Sequence, residues 1–163
     1  MSKNTISSST ITEDELLNHW QGHRRLTRKV IDAFPEDKLF NHRIGEMRPF
    51  AEMAMELIDI AVPGVNGIVS GKWQRFEEIQ DRKSPKTKEE ILKLWDWSTE
   101  KIDELWAQIP EGRFQETEVA FEIYEGTIWS HFFYFLDNEI HHRGQGYVYL
   151  RSLGIEPPFF WER

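Results

Sequence analysis

Asp137-Asn138-Glu139-Ile140-His141-His142-Arg143-Gly144-Gln145 lies inside a long apolar run, 128–150, that contains no proline and a single glycine cluster at Gly144 and Gly146. At 3.6 residues per turn, Asn138, His142, Gln145 and Tyr149 fall within about 60° of one another on one helical face. Polar side chains thus form a file along a helix otherwise rich in Phe, Tyr, Ile and Leu. Polar groups in such a place need a partner, water or a ligand. The plain alternatives are a solvent face or a histidine satisfied by a nearby carboxylate.

A chain of 163 residues suits one domain spanning 1–163 with a core of ordinary size. Hydrophobic residues at 39% and charged residues at 29% give a soluble, globular balance. The net charge of −8 argues against nucleic acid as a partner, because phosphates call for a basic surface. No run approaches the apolar length of a membrane span, and residues 1–10 lack a signal-peptide core. The absence of cysteine removes disulfides, thiolate metal sites and a cysteine nucleophile. A cytoplasmic location without membrane contact is the expectation.

Outward from the quoted stretch, the spacing predicts four long helices. Residues 1–10 are small and polar and are expected to be flexible. Thr12 with Glu15 has the capping-box pattern and opens a helix over about 13–34, stopped by Phe34-Pro35. Its basic residues Arg24, Arg25, Arg28 and Lys29 read as a solvated face or, alternatively, a seat for an acidic substrate or partner. A short helical turn and a loop follow over 36–47. Pro49 begins the second long helix through Phe50, Met53, Leu57 and Ile60, with Pro63 and Gly64 expected to kink or end it. Thr87 with Glu90 repeats the capping-box pattern and opens a third helix over about 88–108. Residues 113–125 read either as a short extended pairing or as an irregular crossover. Thr127 opens the fourth helix, which ends near Leu153-Gly154, and an extended aromatic tail follows. The predicted fold class is all-α: an antiparallel four-helix bundle with a long crossover before the fourth helix.

Glu56 is the odd residue of the second helix. It shares an angular sector with Met53 and Ile60, so a carboxylate sits on the stripe that should face the core. A salt bridge to an arginine of the first helix is one explanation; a functional role is the other. Bundle cores are places where side chains of facing helices converge on metals. Asn138 and His142 emerge one above the other, and a carboxylate from the second helix can complete a three-ligand set with open positions. His131 shares the face of His142 but lies roughly 16 Å away along the axis, too far to bind the same ion. No serine stands in a nucleophile-elbow context, and no catalytic residue is assigned.

His141-His142-Arg143-Gly144-Gln145, followed by Tyr149-Leu150-Arg151-Ser152-Leu153-Gly154-Ile155 and Pro157-Pro158, resembles the C-terminal signature of the DinB-like superfamily. Arg48-Pro49-Phe50-Ala51-Glu52-Met53 resembles its matching second helix. The resemblance implies a four-helix bundle that binds a divalent metal, usually through three histidines, and is often a homodimer. It implies relatives that are thiol-dependent transferases and isomerases. The three histidine positions of the family fall on Glu56, Asn138 and His142, so only one histidine remains. The expected metal ligands are therefore Glu56, Asn138 and His142, with Gln145 and Tyr149 lining a substrate pocket. The ion would be Ni, Zn, Mn or Fe. Two functions are expected from this: a metal-dependent hydrolase or thiol-dependent transferase acting on a small molecule, or a non-catalytic dimeric bundle whose metal site has degenerated.

Overall fold

The computed structural model describes residues 11–75, 78 and 84–163. The segment 1–10, expected to be flexible, lies outside the described residues. Among those described, four long helices pack around a common core: α1 (Glu13–Ala33), α3 (Phe50–Ser70), α4 (Lys88–Trp106) and α5 (Ile128–Ser152), with a short α2 (Glu36–Asn41) after α1. Two strands, β1 (Thr117–Ala120) and β2 (Tyr124–Thr127), pair antiparallel just before α5. The fold is mostly helical rather than purely so, and 113–125 takes the extended-pairing alternative.

Local chemistry sets the helix ends. The Glu15 N–H donates to Thr12 Oγ1 at 3.2 Å while the Thr12 N–H donates to Glu15 Oε2 at 2.8 Å, so both halves of the capping box form. Thr87 and Glu90 do the same at the start of α4. Phe34, constrained by Pro35, turns extended and stops α1. Of the two expected outcomes at Pro63 and Gly64, a kink or an end, the end does not occur: α3 continues to Ser70, with Gly71 at φ +68° as its C-cap. Tertiary packing overrides the proline here. A Cβ on Gly64 would stand 2.4 Å from the Phe135 ring, so the missing side chain is what lets α3 press against α5 at that level. Gly146 plays the reciprocal part on α5, facing Phe50. α3 also corrects the expectation about membrane spans: it is long and apolar enough to cross a bilayer, yet 56% of that window is buried in the fold, where it serves as a core helix.

Contacts fix the helix directions. Gln21 meets Asp103 and Arg28 meets Asp96, so α1 and α4 run antiparallel. Phe50 against Gly146 and Gly64 against Phe135 make α3 and α5 antiparallel as well. Trp20 packs on Phe132 while Thr27 bonds Arg143, so α1 and α5 run parallel, and by the same geometry so do α3 and α4. The end of α3 and the start of α4 therefore lie at opposite ends of the molecule. The expected long crossover before the last helix is instead a local excursion, because the hairpin stays at the end where α4 finishes and α5 begins.

Two apolar clusters fill the core. One gathers Trp20, Trp106, Phe114, Phe132 and Phe135 at the hairpin end; the other gathers Phe34, Phe50, Met53, Trp95 and Tyr149 at the α2 end. Edge-to-face contacts at 5.2–5.5 Å hold Trp106 and Trp20 on Phe132, each worth about 0.5–1.5 kcal/mol beyond area burial. Between the two clusters lies a polar level in which Thr27, Glu139, His142 and Arg143 are all buried.

Candidate metal centre

The close approach of α3 and α5 brings Glu56 beside Asn138 and His142. His142 Nε2 lies 3.2 Å from Glu56 Oε1, and Asn138 Nδ2 donates to the same oxygen at 3.2 Å. Glu56 Oε2 accepts from Arg48 at 2.6 Å. The salt bridge of Glu56 is thus made to Arg48, two residues before its own helix, and not to α1. His142 Nδ1 meets Gln145 Oε1 at 2.7 Å, one turn further along α5.

Hydrogen-bond counting says what this cluster requires. The Gln145 amide serves His142 Nδ1 as acceptor through its oxygen or, turned over, as donor through its NH2. Glu56 Oε1 only accepts, so without a metal His142 Nε2 carries a proton and donates it there. Either that ring proton or a metal ion fills the space between the two atoms. The electrostatics agree. Burial works against a charged His142, but its bonds to Glu56 and Gln145 outweigh burial and raise the imidazole above its ordinary range. The bond to His142, opposed by burial and helped by Arg48 and Asn138, holds the Glu56 carboxyl down to about 2.

The donor set fits a divalent cation. Neighbouring ligands about 2.1 Å from one ion stand roughly 3 Å apart, close to the separations seen here. Turning the Asn138 amide over would present its oxygen to the same point. Gln145 supplies the outer hydrogen bond that ligating histidines usually make. Among the described residues no cluster of three His, Cys, Asp or Glu side chains is present, so the set reaches three donors only by counting an amide.

The two expected pocket residues take other roles. Gln145 orients His142 instead of lining open space. Tyr149 is wholly buried, and its hydroxyl donates to the Arg48 carbonyl at 2.8 Å, anchoring the backbone that carries the guanidinium onto Glu56. Of the three candidate ligands, only Glu56 lines the adjacent cleft of about 710 Å³, which Glu52, Met55, Ile91 and Tyr134 also wall.

A second polar cluster, unforeseen from the sequence, joins α1 to α5. Glu139 is 1% exposed and accepts from Trp20 Nε1 at 3.0 Å and Thr27 Oγ1 at 2.6 Å. Arg24 and Arg143 approach it at 3.7 and 3.8 Å. Arg24, expected on a solvated face, is fully buried: it lies 3.9 Å over the Trp95 ring and donates to Ser98 and Thr99. Glu139 and Arg143 share the buried stripe of Phe132, Phe135, Gly146 and Leu150. A carboxylate on an apolar stripe, the signal that marks Glu56, marks Glu139 too.

Comparisons with known proteins bear on the fold and family. A DinB-like protein from Bacillus subtilis superposes with a TM-score of 0.75 at 21% identity, covering 91% of this chain and 99% of its own. A DinB-like protein from Bacillus cereus ATCC 10987 gives a TM-score of 0.74 at 17% identity, covering 91% and 97%. No curated protein sequence matches the chain. The family description that fits is DinB, matched over residues 1–162, so the chain belongs to the DinB family.

Proposed function

We propose that this chain is a divalent-metal-binding four-helix bundle of the DinB family whose ion is held by Glu56, Asn138 and His142. The observation that supports the reading is the convergence of His142 Nε2 and the Asn138 amide on one Glu56 oxygen, each at 3.2 Å. When bound, a metal there would supply Lewis acidity and lower the pKa of a coordinated water or thiol. That chemistry suits a hydrolase or a thiol-dependent transferase acting on a small molecule held in the cleft. Of the three ligands Glu56 brings the formal negative charge, Gln145 orients the His142 ring, and Tyr134 walls the approach. One carboxylate, one amide and one imidazole make a harder set than three imidazoles, so preference moves from zinc toward manganese and iron.

A second reading, a non-catalytic dimeric bundle, has its own support. Arg48 occupies the other carboxylate oxygen of Glu56 at 2.6 Å and sets a fixed positive charge beside the site.

Titration calorimetry with Mn, Fe, Ni and Zn salts on the parent and three variants is the test. Glu56→Ala and His142→Ala should each abolish stoichiometric binding, and Asn138→Ala should only weaken it, since water can replace one neutral oxygen. A Glu56→Ala variant that binds like the parent would return Glu56 to the role of an ion-pair partner. No binding by the parent would leave the non-catalytic reading standing.

A further inference from the structure

The notch where the C-terminal segment crosses α1 presents the opposite electrostatic problem from the Glu56 cluster. His23 is buried, and Arg143 Nη2 stands 2.7 Å from its Nδ1. A guanidinium has only donors, so Nδ1 accepts and a neutral His23 carries its proton on Nε2. Yet Arg163 Nη1, another donor, lies 3.1 Å from that same Nε2. The two N–H groups face each other with no oxygen between them. His19 Nε2 lies 3.2 Å from His23 Nε2 and can take its proton, but that contact leaves Arg163 unanswered.

Among the side chains around the notch, arginines outnumber carboxylates. From α1 come His19, His23, Arg24 and Arg25; from α5 come Arg143 and Glu139; from the C-terminal segment come Arg163 and Glu162. Glu139 already serves Trp20, Thr27, Arg24 and Arg143 from inside. The backbone carbonyl of Glu162 accepts from Lys29. Among the described residues, no carboxylate side chain pairs with Arg25 or Arg163. Gly22 lets the Arg163 stem and the Arg25 side chain lie over α1: a Cβ there would stand 3.3 Å from Arg163 Cβ and 3.6 Å from an Arg25 guanidinium nitrogen. Burial first, and then the charges of Arg143, His19 and Arg163, hold the His23 imidazole down to about 3, which keeps the ring neutral near pH 7.

We propose that this notch binds an oxyanion, the phosphate or carboxylate group of a small molecule, which accepts from Arg163 and His23 Nε2–H with exposed His19 and Arg25 at its rim. With the exposed Arg163 side chain turned aside, an oxyanion beside His23 accepts from His23 Nε2–H and, through a charge-assisted bond, from Arg163. The same tautomer excludes a metal on His23, whose Nε2 has no free lone pair and faces a guanidinium. The site shares no residue with the Glu56 cluster and stands or falls independently of it.

The test is a titration of the full chain with inorganic phosphate and, separately, with acetate, at constant ionic strength. The imidazole resonances of His19 and His23 are followed by long-range proton–nitrogen correlation spectra. At least one anion should shift both rings saturably, with a Kd of about 1–10 mM, and the stronger of the two identifies the group. Arg163→Gln changes an exposed side chain and should weaken binding about tenfold. Lys38→Gln, which removes the same charge on α2, should leave binding unchanged. The proposal is overturned if neither anion shifts the rings, if Arg163→Gln binds like the parent, or if Lys38→Gln weakens binding as much. Saturable Ni²⁺ binding at His19 and His23 in a His142→Ala chain would overturn it as well, because it requires the other tautomer.

Discussion

The Trp20 indole donates to Glu139 Oε2 across 3.0 Å, tying the first long helix to the last through a carboxylate that is 1% exposed. Two guanidiniums flank this carboxylate, and Thr27 fills its other oxygen. Removing one member of a buried ionic group costs more than the group itself contributes, because the remaining charges stay buried without compensation. Glu139→Ala should therefore destabilise the fold by about 3–5 kcal/mol. Urea unfolding followed by far-ultraviolet circular dichroism measures this, and a loss under about 1 kcal/mol would show the network to be energetically idle.

His23 gives the chain a pH dependence of known sign. Its folded pKa, held to about 3 by burial and the nearby arginines, lies below the ordinary 6.5. Between those values the unfolded chain binds the extra proton, so this contribution to stability is complete above about pH 6.5 and is lost as pH falls toward 3. The parent should lose stability on acidification across that window, and His23→Gln should flatten the slope. Denaturant midpoints at half-unit pH steps check it. Equal slopes in parent and variant would remove His23 as the cause.

Part of this architecture was legible because it depends on neighbours in sequence. The Thr12/Glu15 and Thr87/Glu90 pairs mark helix starts through bonds that span three residues. The spacing of Asn138 and His142 puts both on one face, and Glu56 betrays itself by interrupting an apolar stripe. What stayed hidden depends on partners far away in the chain. Pro63 fails to end α3 because Phe135, 72 positions later, packs where Gly64 has no side chain. Arg24 looked solvated because its partners, Trp95, Ser98 and Glu139, belong to other helices. Tyr149 looked like a pocket wall because its angular sector is right, but its hydroxyl is taken by the Arg48 carbonyl.

Gly64 can be tested directly. In an open helix Gly→Ala would gain about 1 kcal/mol of propensity. Here the new methyl would meet the Phe135 ring at 2.4 Å, and overpacking of this kind costs about 1–3 kcal/mol. Gly64→Ala should lower the melting temperature, and Gly64→Ala with Phe135→Leu should recover much of the loss. A stabilised single variant would mean that the ring moves freely aside.

Assembly is the next expectation. On α5, Leu136 is buried and Phe133 and Tyr147 are partly covered, whereas Ile140 and Val148 are exposed on either side of Gly144, where a Cβ would meet nothing. An apolar file on a helix that already faces the core on its other side is suited to a second copy of the chain. We propose a homodimer through this face of α5. Light scattering at tens of micromolar should give twice the chain mass, and Val148→Glu should halve it. Monomer alone in the parent would remove the proposal.

Arg48 separates the metal reading from its rival. Its guanidinium, 2.6 Å from Glu56 Oε2, repels any cation at Oε1 and competes for the carboxylate. The side chains of Arg48 and Glu56 are 45% and 28% exposed, so solvent screens the pair and its effect is about 1 kcal/mol rather than the larger value of a dry interior. If Glu56 holds an ion, Arg48→Gln should tighten Mn²⁺ binding roughly fivefold while the Tyr149 bond, which goes to a backbone carbonyl, remains. If the cluster serves only the fold, the same variant loses an ion pair and gains nothing: the melting temperature falls slightly and metal has no effect. Calorimetry and thermal melts, each with and without Mn²⁺, distinguish the two outcomes. Binding that weakens in Arg48→Gln would mean that the arginine positions Glu56 for the ion instead of opposing it.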